Sequence, residues 1–197
     1  QVRCRRGFLA ALSVKPEHGN FVLPHERTLD KPKEDRLKLL SAVRANISPI
    51  FGIFPDSSRV VRRALQKTAS AKPVAQGRMK SGVAYRLWVL DDPKAVAALV
   101  KAVAPRKILI ADGHHRYEVS RAYYQRKPAP GAETVLAYLC PEEDPGLVVL
   151  PTHRVVDGVD VVGEAQRQCR METCRSRVEM MKRLEGKKSP YSFGLYE

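Results

Sequence analysis

No apolar run in this chain approaches the ~20 residues that a membrane-spanning helix needs, so no membrane partner is expected. The start, Gln1-Val2-Arg3-Cys4-Arg5-Arg6, is basic but has no apolar h-region behind it, so no secretory signal is read there. A cytoplasmic setting is expected. An initiator Met is also lacking, which points to a chain that begins inside a longer one. Walker A and Gly-x-Gly-x-x-Gly motifs are absent, which argues against P-loop and Rossmann nucleotide sites. There is no Gly-x-Ser-x-Gly elbow, no His-x-His and no His-Glu-x-x-His. Cysteine is scarce: Cys4, Cys140, Cys169 and Cys174. The Cys169/Cys174 spacing is wider than the usual metal knuckle and no second pair completes a zinc site, so free thiols are expected.

What is present is an ordinary soluble composition with a large excess of cations. Of 197 residues, 44% are hydrophobic and 28% charged, enough for one domain with a sizeable core. The net charge of +14 is unevenly spread. Arg167 to Lys188 holds eight Lys/Arg against three Glu, a patch that could meet nucleic acid or form a solvated helix face. Aromatic residues are nearly absent from it, which weakens a base-stacking role.

Apolar runs and turn signals alternate along the chain. Phe8 to Val14 reads as a strand, Pro16 to Asn20 as a turn, and Phe21-Val22-Leu23 as a return strand completing a hairpin. Leu37, Leu40 and Val43 sit at helical spacing within Lys33 to Asn46. Ile50 to Phe54 is a short apolar run, and Pro55-Asp56-Ser57-Ser58 is a start signal for a basic helix over Arg59 to Ser70. Val83 to Leu90 reads as a strand, Lys94 to Ala104 as a helix opened by Pro93, and Ile108 to Ala111 as a strand. Tyr117 to Gln125 is helical. Thr134 to Cys140 and Leu147 to Leu150 have strand length. The mixture implies α+β (mixed α/β), with a core over 6–157 and a basic, partly helical tail over 158–197.

The chemistry concentrates in three loops. His25, His114, His115 and His153 are four of the five histidines. They occur in Pro24-His25-Glu26-Arg27-Thr28, Asp112-Gly113-His114-His115-Arg116 and Pro151-Thr152-His153-Arg154. Each loop carries an arginine and follows an apolar strand-like run, and strand ends at one sheet edge are where open α/β sheets hold ligands. Arginine forks match phosphate oxygens, histidine adds donors, and Gly113 permits close backbone approach. The Asp112–Arg116 segment reads as a strand, a tight turn and a helix N-terminus, whose amides and dipole favour an anion. Phosphoryl transfer also needs a carboxylate near the attacking hydroxyl, for which Glu26 and Asp112 are the candidates. Glu118 could instead be a surface or capping carboxylate. The adjacent His114 and His115 would rarely bind one ion, and magnesium held by one carboxylate and substrate phosphates fits better than a protein-ligated zinc.

These motifs, with Asn46-Ile47-Ser48-Pro49-Ile50-Phe51-Gly52 and Tyr85-Arg86-Leu87-Trp88 between them, occur in an order that resembles one family. It is the uncharacterised prokaryotic family named domain of unknown function 1015, and the resemblance runs from about Arg6 to Val156. Its members are about twice as long, so this chain is expected to be a piece of a longer one. Tyr85 stands where the family pattern has a histidine. The family implies no established activity. Its Asp-Gly-His-His-Arg turn is similar to the phosphate-binding turn of the ParB/sulfiredoxin superfamily, which includes an ADP-dependent kinase acting on free serine. That similarity implies a ParB/sulfiredoxin-like mixed sheet with flanking helices, and Asp112 to Arg116 as the nucleotide-phosphate cradle.

The expected function is nucleotide-phosphate binding, with small-molecule (amino-acid) kinase activity using Mg2+ with ADP or ATP and a small hydroxyl-bearing acceptor. Glu26, Asp112 and His114 are the expected catalytic residues. Gly113, His115, Arg116, Arg27, His153, Arg154 and His25 are expected at the phosphates, and no metal-ligating residue is assigned. Two alternatives stand beside this reading: a nucleic-acid-binding module using the basic surface of the tail, and a metal-dependent phosphohydrolase.

Overall fold

The computed structural model describes residues 3–24, 30–150, 155–186 and 192–195. The chain divides into two units, Gln1–Val149 and Leu150–Glu197. In chain order the first contains β1 (Phe8–Ser13), a 3-10 turn (Pro16–Phe21), β2 (Val22–Leu23), α1 (Asp30–Val43), β3 (Ile50–Phe54) and α2 (Val60–Thr68). It continues through β4 (Ala75–Arg78), β5 (Ala84–Leu87), α3 (Pro93–Val103), β6 (Ile108–Asp112), α4 (His114–Arg126) and β7 (Thr134–Pro141). The fold class is α+β, with a mixed sheet of order β1-β7-β3-β6-β2 and a separate β4–β5 ribbon.

The central strand explains the core. β3 lies between β7, which it parallels, and β6, which it opposes. Ile50 and Phe54 of β3, Ile110 of β6 and Val135 of β7 are fully buried, with Phe8 edge-on to Phe54 at 6.2 Å. Burying each such side chain stabilises the fold by roughly 1.5–3 kcal/mol. Gly52 is required at the strand centre because a Cβ there would lie 2.7 Å from Ile108 Cγ2 and 2.8 Å from Leu139 Cδ2. α1 packs with α4, joined by Lys33 Nζ–Glu118 Oε2 at 3.0 Å, and α2 packs with α3. Glu118 is thus a helix–helix ion-pair partner.

Three sequence expectations need correction. Phe21–Leu23 does not return along β1: Val22 and Leu23 pair in parallel with Ile108 and Leu109. β1 instead forms a six-residue antiparallel ladder with β7, which satisfies more backbone groups than a two-residue partner can. Leu147–Leu150 is not a strand; Val149 and Leu150 are exposed and have no apolar face to cover. The Val83–Leu90 strand shortens to β5 and gains a partner, β4, whose Ala-Gln-Gly-Arg sequence carries no strand signal.

The second unit holds α5 (Val161–Gln168) and α6 (Arg177–Gly186). Asp160 caps α5 by accepting from the Gly163 amide at 2.8 Å. α5 buries no side chain completely. Among the described residues no helix is long and apolar enough to cross a membrane.

Candidate functional site

The Asp112–Arg116 segment turns from strand to helix within a single residue. β6 ends at Asp112, Gly113 takes the left-handed conformation (φ 94°), and α4 opens at His114, three residues before the expected start. Only glycine adopts that φ without strain. A Cβ at Gly113 would also approach Arg116 Nη2 and Ile50 Cγ2 to 3.0 Å. The Gly113 carbonyl accepts from the Tyr117 amide at 3.0 Å, closing the first helical turn. The leading amides of such a turn point outward along the helix axis at the positive end of its dipole.

Arg116 does not stand free at this turn. Its Nη2 donates to Asp112 Oδ2 at 2.5 Å, and its Nη1 donates to Ser48 Oγ at 2.9 Å and to the Pro49 carbonyl. Antiparallel pairing of β3 with β6 sets Phe51 opposite Asp112, which brings the Ser48–Pro49 lead-in beside the turn. The guanidinium therefore ties the end of β6, the start of α4 and the entry to β3 together. The Arg116 side chain is 22% exposed and that of Asp112 is 72% exposed, so the carboxylate reaches solvent while its partner is partly enclosed.

The two histidines separate by burial. His114 is 5% exposed and sits on the inner side of α4, whereas His115 is half-buried at the surface. Next along the helix, Tyr117 is buried, and its hydroxyl is the buried side-chain polar atom without a hydrogen-bond partner among the described residues. Burial raises its pKa, against a smaller lowering by Arg121.

His25, Glu26, Arg27, His153 and Arg154 lie outside the described residues. β2, the strand that precedes the first of these loops, runs parallel to β6, so Pro24 leaves the sheet in the direction in which β6 runs toward Asp112. The premise that the third loop follows a strand fails, because Leu147–Leu150 is irregular. Among the described residues no group of three or more His, Cys, Asp or Glu converges as a metal site would. Sequence reading missed Ser48 and Pro49 as partners of Arg116. Their one signal was membership of the Asn46–Gly52 motif.

An α+β sheet with a strand–glycine–helix turn, braced by a buried-edge arginine, defines the class. The chain matches, over residues 1–197, the family described as Protein of unknown function (DUF1015), and it belongs to that family. No curated protein and no solved structure matches it.

Proposed function

We propose that the Asp112–Arg116 turn binds a nucleotide phosphate and that the protein is a small-molecule kinase acting on an amino acid or similar hydroxyl-bearing acceptor. The observation that carries this reading is the left-handed Gly113 between a sheet strand and a 13-residue helix, with an arginine fixed on the first helical turn. Helix-terminal amides and an arginine fork together suit phosphate. The turn's similarity to that of the ParB/sulfiredoxin superfamily and its serine kinase supports the same reading.

Ser48 and Pro49 hold Arg116 in place, so the fork is preorganised rather than mobile. The Asp112 ion pair is open to solvent, and exposed pairs are weak, so a phosphate can replace that carboxylate on Nη2. Asp112, once released, would face the acceptor hydroxyl, and it is the carboxylate that would hold Mg2+, an ion that would offset the charge of the phosphates. His115 is the surface donor, and the buried His114 positions the turn. Glu26 remains the candidate for orienting the acceptor, with His25, Arg27, His153 and Arg154 as further cations at the phosphates. In the tail, Arg167 and Arg183 are paired with glutamates, which withholds part of its charge from nucleic acid.

Calorimetric titration with ADP and ATP, with and without Mg2+, tests binding, and nucleotide turnover with free amino acids tests transfer. Arg116→Ala should weaken binding by about 1.5–3 kcal/mol, the range for a hydrogen bond to a charged group. Arg116→Lys, which keeps the charge and loses the fork, should be nearly as weak. Glu26→Gln should preserve affinity and lower turnover. Absence of nucleotide binding by the parent chain would remove the proposal.

A further inference from the structure

Between Ser57 and Leu90 the sequence contains no Asp or Glu and eight Lys/Arg. Arg59 precedes α2, which supplies Arg62, Arg63 and Lys67. Lys72 leads into the β4–β5 ribbon, which carries Arg78, Lys80 and Arg86. All are exposed except the half-buried Arg62. None of the eight forms an ion pair among the described residues. Of the three flanking acids, Asp56 is buried as the cap of α2, Asp92 caps α3, and Asp91 forms no ion pair among the described residues. A segment with this much unpaired positive charge attracts polyanions strongly.

The ribbon is shaped for that partner. Its ladder is extended at one end by Val74 N–H to Leu87 O and at the other by Met79 N–H to Val83 O, both 2.8 Å. Trp88 Nε1 donates to the Ala71 carbonyl at 2.9 Å, fastening the base of the ribbon to the exit from α2. Alternation places Gln76, Arg78 and Arg86 on one face, and Tyr85 and Leu87 with Met79 and Val83 on the other. Both faces of both strands are exposed, so neither is covered by the rest of the fold. An isolated two-stranded ribbon is marginal in water and gains from a partner surface.

We propose that α2 and the β4–β5 ribbon form a binding surface for duplex DNA. The Gln76–Arg78–Arg86 face of the ribbon enters the major groove, and the α2 cations follow the flanking phosphates. The groove admits a two-stranded ribbon, and arginine and glutamine are the side chains that hydrogen-bond base edges there. Five of the eight cations are arginine, the form suited to bidentate phosphate contact. Cations opposite an apolar face also suit an anionic membrane, which is the occupant the test below separates from DNA. This surface is independent of the nucleotide reading, being built from none of the Asp112–Arg116 residues.

The test is fluorescence anisotropy of a labelled duplex of about two helical turns, titrated with the full chain over a range of salt. If roughly five cations meet phosphates, log affinity should fall against log salt with a slope of about −4 to −5. Arg63→Ala with Lys67→Ala should flatten the slope by about two, and Arg78→Ala with Arg86→Ala should weaken binding with little change of slope. All four positions are exposed, and an unchanged thermal melt confirms that each variant folds. Arg167→Ala with Arg183→Ala should leave the slope as it was. A double ribbon variant with the parent's affinity overturns the proposal. So does a parent chain that ignores DNA and binds vesicles containing phosphatidylserine.

Discussion

Residues 59–86 and 167–186 are both strongly basic, and they differ in how far that charge is paired: Arg167 and Arg183 of the tail meet glutamates, while no cation of 59–86 forms an ion pair among the described residues. In the tail, Glu164 lies three residues before Arg167, and Glu179 lies four before Arg183, which also reaches Glu172 at 3.5 Å. Those spacings bring acid and base onto one helix face. Pairing shows in the acids: hydrogen bonds from Arg167 and then Gln168 lower the pKa of Glu164, and the Arg175 amide and then Arg183 lower that of Glu179. In the first unit the corresponding positions along α2 hold no acid at all. Charge count alone therefore misses that part of the tail's charge is paired. What matters is whether an opposite charge stands one helical turn away.

The largest expected effect comes from the acid that adjoins the cationic stretch. Asp56 is 4% exposed and accepts from the Arg62 amide at 2.8 Å and the Val61 amide at 3.3 Å, while its own amide donates to the Glu143 carboxylate at 2.9 Å. Its charge sits at the start of α2, where the dipole favours an anion. Asp56→Ala should cost about 2 kcal/mol, measured by urea denaturation, because it strands buried amides. The matching cap in the tail, Asp160→Ala, should cost well under half of that, since α5 buries nothing completely. Equal losses would break the contrast between a helix held by the core and one held by its own charges.

The thiols extend the contrast. Cys140 is fully buried at the end of β7 and donates to the Arg6 carbonyl at 3.3 Å. Burial, then Asp144, pushes its pKa up from 9.0 to about 12, with Arg5 acting in the opposite direction. The folded state thus holds this proton more tightly than the unfolded chain does. Its contribution is complete below about pH 9 and is lost as pH rises toward 12. Stability should fall across that alkaline window, and Cys140→Ala should flatten the fall. At pH 8, iodoacetamide should modify the exposed Cys4 and Cys169 and spare Cys140, as peptide mass mapping would show.

Legibility followed the range of the interactions involved. The strand at Ile108 and the turn at Gly113 were readable because an apolar run, a glycine and a helix start are local signals. The helix start at Asp56 was readable for the same reason. Arg116's bonds to Ser48 and Pro49 were not, since they depend on the β3–β6 register rather than on anything near Arg116 in sequence. β4 was invisible because Ala75-Gln76-Gly77-Arg78 has no apolar alternation, and it becomes a strand only by pairing with β5. The false strand at Leu147–Leu150 had the composition and lacked a partner edge. The hairpin expected at Phe21–Leu23 failed because β1 had a longer ladder available on β7.

The smallest effect is also the sharpest test of the comparison. Glu164 is exposed and Glu179 partly so, and such surface pairs contribute little to stability, yet they decide whether Arg167 and Arg183 are available to a polyanion. Their lowered pKa values mean that pairing is present at neutral pH and is lost as pH falls through the folded values, below the ordinary 4.5. Glu164→Gln with Glu179→Gln should reproduce that loss at pH 7 while keeping side-chain size. The freed arginines should then join in DNA binding and steepen the salt slope by about one to two. Helical ellipticity should fall only slightly, because exposed i,i+4 pairs support a helix weakly. The same exchange cannot be made in residues 59–86, where there is no acid to remove. An unchanged salt slope would mean that the glutamates were not what withheld the tail. In that case the difference between the two stretches would lie in the ribbon, and adding Arg78→Ala and Arg86→Ala to the same variant should weaken DNA binding as much as it does in the parent.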